Sequence, residues 1–161
     1  MKKVLWLDLE ETIIQSWDNP VLIPQNVVNI RRFITSHNIT EVFIFSFAIW
    51  DKKDAAFFRE SGMKHEIEQV LGVRILSWPS IGEMRDMVFV AERIQYDSDH
   101  EFTSLNGKLF SFIKLGTWVA FPGIHSILID DTVPNMDIDL PDMDKKISLI
   151  SVDTMNKVRD I

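Results

Sequence analysis

Carboxylates and hydroxyls stand at the ends of apolar runs in three places in this sequence. Asp8, Glu10, Glu11 and Thr12 follow Val4-Leu5-Trp6-Leu7, Ser46 follows Ile44-Phe45, and Asp130, Asp131 and Thr132 follow Ser126-Ile127-Leu128-Ile129. Lys108, behind Gly107, opens a helical stretch between the second and third of these. Taken alone, the first run reads equally well as an acidic surface turn. Together, Asp8, Glu10, Glu11, Asp130 and Asp131 form a set whose members repel one another by about 4 kcal/mol per pair at 4 Å and an effective dielectric of 20. A cation must offset that charge. The donors are oxygens with no histidine or cysteine beside them, and the fitting ion is Mg2+, which takes one or two carboxylates and keeps water and substrate phosphate as its other ligands. Such an ion screens a carboxylate from an incoming phosphate and lets Asp8 attack phosphorus.

These residues meet only if the elements that carry them lie side by side. Val4 to Leu7 is apolar without period-2 alternation, the pattern of a strand covered on both faces, and acids at its carboxyl end fall where open α/β sheets place their ligands. After a proline-containing loop from Gln15 to Pro24, Val27, Val28, Ile30, Phe33 and Ile34 recur at helical spacing until His37-Asn38. Glu41 to Ser46 reads as a second strand. Asp51 to Ser61 reads as a helix with Asp51 as N-cap and Gly62 as its stop, followed by a shorter helical piece from Lys64 to Leu71. Val73 to Trp78 is a third strand candidate. Ser80 to Asn106 reads as a small insertion, a helical stripe to Gln95 followed by a polar loop, and a helix then runs from Gly107 to about Gly116. The fourth strand is Ser126 to Ile129. Pro134 to Lys146, acidic and proline-punctuated, reads as a solvated loop, because a calcium loop needs a glycine and a glutamate at positions that do not carry them. A last strand, Ile147 to Val152, and a short helix, Asp153 to Ile161, close the chain. The alternation favours a mostly parallel sheet in a single α/β domain spanning residues 1–161, with no large cap domain.

Composition narrows the function classes. At 161 residues the chain is long enough for one domain with a substantial core, and its net charge of -7 argues against non-specific nucleic-acid binding, which needs a basic footprint. There is no cysteine, so thiolate metal sites, cysteine nucleophiles and disulfides are absent. His37, His65, His100 and His125 are scattered without ligand spacing, and none is assigned to a metal. Acids at positions 8, 10 and 11 interrupt the amino-terminal apolar run too early for a secretory segment, and no later run is long enough for a membrane span, so the expectation is a cytoplasmic protein. Tryptophans 50, 78 and 118 and the Met84, Met87, Val88, Ala91 stripe are read as core packing.

The order of the motifs resembles the haloacid dehalogenase-like (HAD) phosphohydrolases from Val4 to about Asn135. The family pattern is a strand ending Asp-x-Asp-x-Thr, a strand ending in Ser or Thr, a lysine at a helix start and a strand ending in an acidic pair. Here the matches are Asp8-Leu9-Glu10-Glu11-Thr12, Ser46, Lys108 and Asp130-Asp131. The resemblance implies a Rossmann-like three-layer sandwich and a Mg2+-dependent phosphatase acting on a phosphomonoester, either a nucleotide or a small phosphometabolite, through an aspartyl-phosphate. It implies Asp8 as nucleophile and Glu10 as general acid and base. Thr12, Ser46 and Lys108 would hold the phosphoryl group, with Lys114 the rival lysine. Asp8, the Glu10 main-chain carbonyl, Asp130 and, through water, Asp131 would bind the metal. Two departures stand out. Glu10 replaces aspartate, and its extra methylene moves the carboxyl by about 1 Å, enough to slow a fixed-geometry proton transfer about a hundredfold. Glu11 replaces a common glycine and adds negative charge. The alternative is therefore a protein of this fold that binds a nucleotide, a signalling phosphate or a partner protein without turnover. By the same resemblance, a short cap implies a macromolecular substrate or a pocket completed in a homo-oligomer. A phosphorelay receiver uses similar residues in a different order, with the acidic pair on the first strand and the lysine on the last.

Overall fold

The computed structural model describes residues 1–77, Glu83, Phe112 and residues 122–157. Lys108, Lys114, Trp78, Trp118, the methionine stripe and all of the expected insertion except Glu83 lie outside the described residues. The described part is a mixed α/β fold. Its strands are β1 (Lys2–Leu7), β2 (Val42–Ile44), β3 (Ile124–Asp130), β4 (Met136–Leu140) and β5 (Lys145–Ser151), and its α-helices are α1 (Pro24–Ser36), α2 (Lys52–Glu60) and α3 (Met63–Leu71). The five strands form one sheet in the order β2-β1-β3-β5-β4. All pairings are parallel except β4 against β5, which is antiparallel. Such a mostly parallel sheet with helices is compatible with a Rossmann-like sandwich.

The missing alternation in β1 has a direct cause. Leu5 and Leu7 point to the face carrying Ile127, Ile129 and side chains of α1 and α3, whereas Val4 and Trp6 point to the opposite face with Phe43, Phe45, Leu128, Leu149 and Phe112. Both faces are dry, and each fully buried aliphatic or aromatic side chain contributes about 1.5–3 kcal/mol. Trp6 is the hub of the second face, stacked on Phe43 at a 4.8 Å centroid distance and edge-on to Phe45 and Phe112.

The helices carry their expected signals. Pro24 occupies the first turn of α1, and Ile30 and Ile34 are its buried stripe. Asp51 caps α2 by accepting from the Asp54 amide, while Asp54 accepts in return from the Asp51 amide, a complete capping box. Gly62 and Gly72, both at positive φ, bound α3.

Three expectations need correction. Pro134 to Lys146 is not a solvated loop. It contains the edge strand β4 and a 3-10 turn at Pro141–Met143, with Ile138 and Leu140 packed on the core and Asp137 accepting from the Ser148 hydroxyl. Strict alternation in Met136-Asp137-Ile138-Asp139-Leu140 fits an edge strand with one face in water. Of the expected strand Val73 to Trp78, the described residues 73–77 do not form a strand of the sheet. Within its described residues only Ile75 bridges to Val42, with the Leu76 amide donating to Val42 at 2.8 Å. The closing helix starts one residue early, and its described part, Val152–Lys157, is a 3-10 helix.

Candidate metal and phosphate site

Register brings the chemistry together. Leu7 pairs with Ile44 on one side and Ile129 on the other, so Asp8 leaves the sheet level with Phe45 and Asp130, and Ser46 follows one residue on. The Asp8 amide donates to Ile129 and the Phe45 amide to Leu7, carrying the ladder to the strand ends. This is the carboxyl edge of three adjacent parallel strands, the usual place for a ligand in an open α/β sheet.

Immediately after β1 the chain coils tightly. The amides of Thr12, Ile13 and Ile14 all donate to the Leu9 carbonyl, and Leu9, Ile13 and Ile14 are fully buried. This turn requires a left-handed residue at Glu11, φ 59°, a position that glycine takes without strain. Asn26 of α1 donates to the Thr12 carbonyl at 2.9 Å, fixing the turn to the helix layer. As a result, the Thr12 hydroxyl donates to Asp8 Oδ2 at 2.9 Å and lies 3.4 Å from Asp131 Oδ1.

Asp8, Thr12, Ser46 and Asp130 are buried, and Asp131 is partly buried. Asp130 is held by its own turn, because its Oδ1 accepts from both the amide and the hydroxyl of Thr132 at 2.7 Å. One carboxylate oxygen each from Asp8, Asp130 and Asp131 lies within 4.8 Å of the other two. Ligands of an octahedral Mg2+ at about 2.1 Å lie about 3.0 Å apart when adjacent and about 4.2 Å apart when opposite, so the three carboxylates would close in on one another to share one ion. The electrostatics point the same way. Burial first, then the charges of Asp8 and Asp130, and then hydrogen bonds to Asp8 and Glu11, push the Asp131 carboxyl up to about 8. Asp131 therefore binds a proton where a cation would do the same work, and the all-oxygen donor set suits a hard divalent ion.

The remaining expected residues fall as follows. Ser46 is buried beside the triad's strand end, where its hydroxyl accepts from the Ala48 amide at 3.2 Å. Glu10 is partly buried, and its Oε2 accepts from the Trp17 amide at 2.9 Å, so its carboxylate is oriented by the following loop. Lys108 and Lys114 lie outside the described residues. His125 stands at the opposite end of β3, its Nε2 2.6 Å from the Ser148 hydroxyl, well separated in register from Asp130.

Three contributors were given no site role by the sequence reading. Thr132 is signalled by the Asp-x-Thr spacing of an Asx-turn. Asn135 accepts from the Ser151 amide at 2.8 Å and donates to Thr154, anchoring the segment after the acidic pair to the end of β5. Trp17 acts through its main-chain amide, which no side-chain pattern signals. Comparison with protein-family models, with curated proteins and with solved structures finds no match. Among the described residues, no helix is long and apolar enough to cross a membrane.

Proposed function

We propose that this chain is a Mg2+-dependent phosphohydrolase of the HAD type, acting on a phosphomonoester. The observation that supports it most is the Asp8, Asp130, Asp131 triad at the carboxyl edge of adjacent parallel strands, with Thr12 bonded to Asp8. Asp8, Asp130 and Asp131 would hold the cation, which supplies charge neutralisation for the phosphoryl oxygens.

The chain's own residues then have defined tasks. Thr12 holds the Asp8 carboxylate by donating to Oδ2. Asp8 attacks, the phosphorus–ester oxygen bond breaks, and the departing alkoxide takes a proton from Glu10. In the second half, Glu10 takes a proton from water, the hydroxide attacks phosphorus, the bond to Asp8 breaks, and inorganic phosphate leaves. Ser46 offers its hydroxyl to a phosphoryl oxygen, and Lys108 is assigned the balancing positive charge.

A second reading, binding without hydrolysis, is favoured by one contact. The Trp17 amide holds Glu10 Oε2, and a general acid so tethered has less freedom to follow the leaving oxygen. Phosphate release from a panel of phosphomonoesters with Mg2+, with Asp8→Asn as control, decides between them. The hydrolase reading expects release that falls by at least a hundredfold in Asp8→Asn. Mg2+-dependent binding with no release from the wild-type protein would establish the second reading.

A further inference from the structure

Consecutive residues on a helix point about 100° apart, so two adjacent phenylalanines do not share one buried face. On α2, Phe58 is buried at 4% exposure and Phe57 is left 50% exposed. Trp17, in the loop before α1, meets both. Its ring stacks on Phe58 at a centroid distance of 6.4 Å and lies 5.4 Å from Phe57 with the planes tilted by 52°. Phe58 thus ties the indole to the core, against which Trp17 is packed. The tilted pair, with Pro20 and with Met63 of α3, walls a cavity of about 280 Å³. Asp18 and Glu66, both exposed, also line it, and among the described residues its lining holds no lysine, arginine or histidine. One exposed phenylalanine is ordinary on a protein surface. Aromatic walls joined to carboxylates without a cation are a specific chemical environment.

We infer that this cavity binds a methylated ammonium head group, at a site independent of the carboxylate triad and of the hydrolase reading. The faces of the Trp17 and Phe57 rings carry negative quadrupole charge and attract a cation, and aromatic walls of this kind are the general means of holding quaternary ammonium groups. Rings tilted by 52° form a corner, which suits a compact, rounded head; a flat ring would need parallel walls. Asp18 and Glu66 add negative potential that favours cations and repels anions. Methylation matters because a bare ammonium is strongly hydrated and gives up that water on entry, whereas methyl groups pack on the indole, the proline and the methionine. The volume falls just below the roughly 300 Å³ at which small-molecule sites begin, so the cavity takes the head group and leaves the rest of the ligand outside.

The test titrates the full-length protein with choline, with a short neutral peptide carrying trimethyl-lysine, and with the uncharged isostere of choline in which a tert-butyl group replaces the trimethylammonium. Binding is read by NMR at the Trp17 indole resonance, assigned by its loss in Trp17→Phe. The inference expects a shifted Trp17 resonance and a methylated cation bound roughly tenfold more tightly than the isostere. That margin should narrow when Asp18→Asn and Glu66→Gln are combined. Affinity for the cation should also fall severalfold in Phe57→Ala, a truncation at a half-exposed side chain that leaves the core intact. Tighter binding of choline identifies a free small molecule as the source of the head group, and tighter binding of the peptide a lysine side chain of a partner; either upholds the site. An isostere bound as tightly as the better of the two cations overturns it. So does a Trp17 resonance that neither cation moves, or cation binding that is unchanged in Phe57→Ala.

Discussion

At Asp131, burial and the neighbouring charges of Asp8 and Asp130 act in the same direction, raising the carboxyl from 3.8 to about 8. A carboxyl raised in the folded state stabilises the fold fully below its unfolded value and loses that contribution as pH rises through the folded one. Without a divalent cation, the protein should therefore lose stability between about pH 4 and pH 8. Bound Mg2+ replaces the proton, so the Mg2+-induced rise in Tm should be larger at pH 8 than at pH 5.5. Thermal melts in EDTA and in Mg2+ at the two pH values measure it, and an equal rise at both would count against a cation at this carboxyl. Glu11 belongs to the same balance, since it hydrogen-bonds Asp131 from a left-handed backbone position. Types and order of residues were enough to place Asp8, Asp130 and Asp131 in one acidic set with Glu10 and Glu11, and the structure brings the carboxylates of the first three together. The grip of Trp17 on Glu10 was not legible, because a main-chain donor leaves no trace in residue identity.

Among the elements, β1 was legible from four apolar residues because both of its faces are buried, and α2 from Asp51 because a cap is a local side-chain chemistry. Replacing Asp51 with alanine removes one half of the capping box and should cost about 1 kcal/mol in urea unfolding. The Mg2+-induced Tm rise should be unchanged, since α2's first turn has no ligand in the triad. The same sequence hid β4. Its two aspartates suggested solvent, yet they are the outward residues of an alternating edge strand whose inward Ile138 and Leu140 reach the core, and Asp137 is tied to Ser148. In the opposite direction, Val73 to Trp78 looked like a strand by propensity, but pairing is a tertiary property and its described residues make a single bridge to β2. Pattern identifies a strand best when both of its faces are buried.

For the molecule as a whole, the site and the fold make opposing demands. The apolar faces of the sheet stabilise the chain, while the carboxyl edge gathers three carboxylates within 4.8 Å, an arrangement whose mutual repulsion costs stability. Functional sites are commonly held against such local strain by the rest of the structure. Here the restraint is visible: Leu9, Ile13 and Ile14 bury the turn that carries Thr12, and Thr132 and Asn135 pin the segment that carries the acidic pair. Asp131→Asn tests the trade. It keeps the shape of the side chain, removes one charge from the cluster and can donate to Asp8 and Glu11. At pH 8 without divalent cation the variant should gain on the order of 1 kcal/mol, because screening at a partly exposed carboxyl leaves only part of the pairwise repulsion to be relieved. For a domain of this size that corresponds to a rise in Tm of about 2–4 °C. Its Mg2+-induced rise should shrink, and phosphate release should fall with it. A variant that is less stable than the wild type without cation at pH 8 would show that Asp131 contributes to the fold through its charge, and would reverse the assignment of this edge as a site kept at the expense of stability.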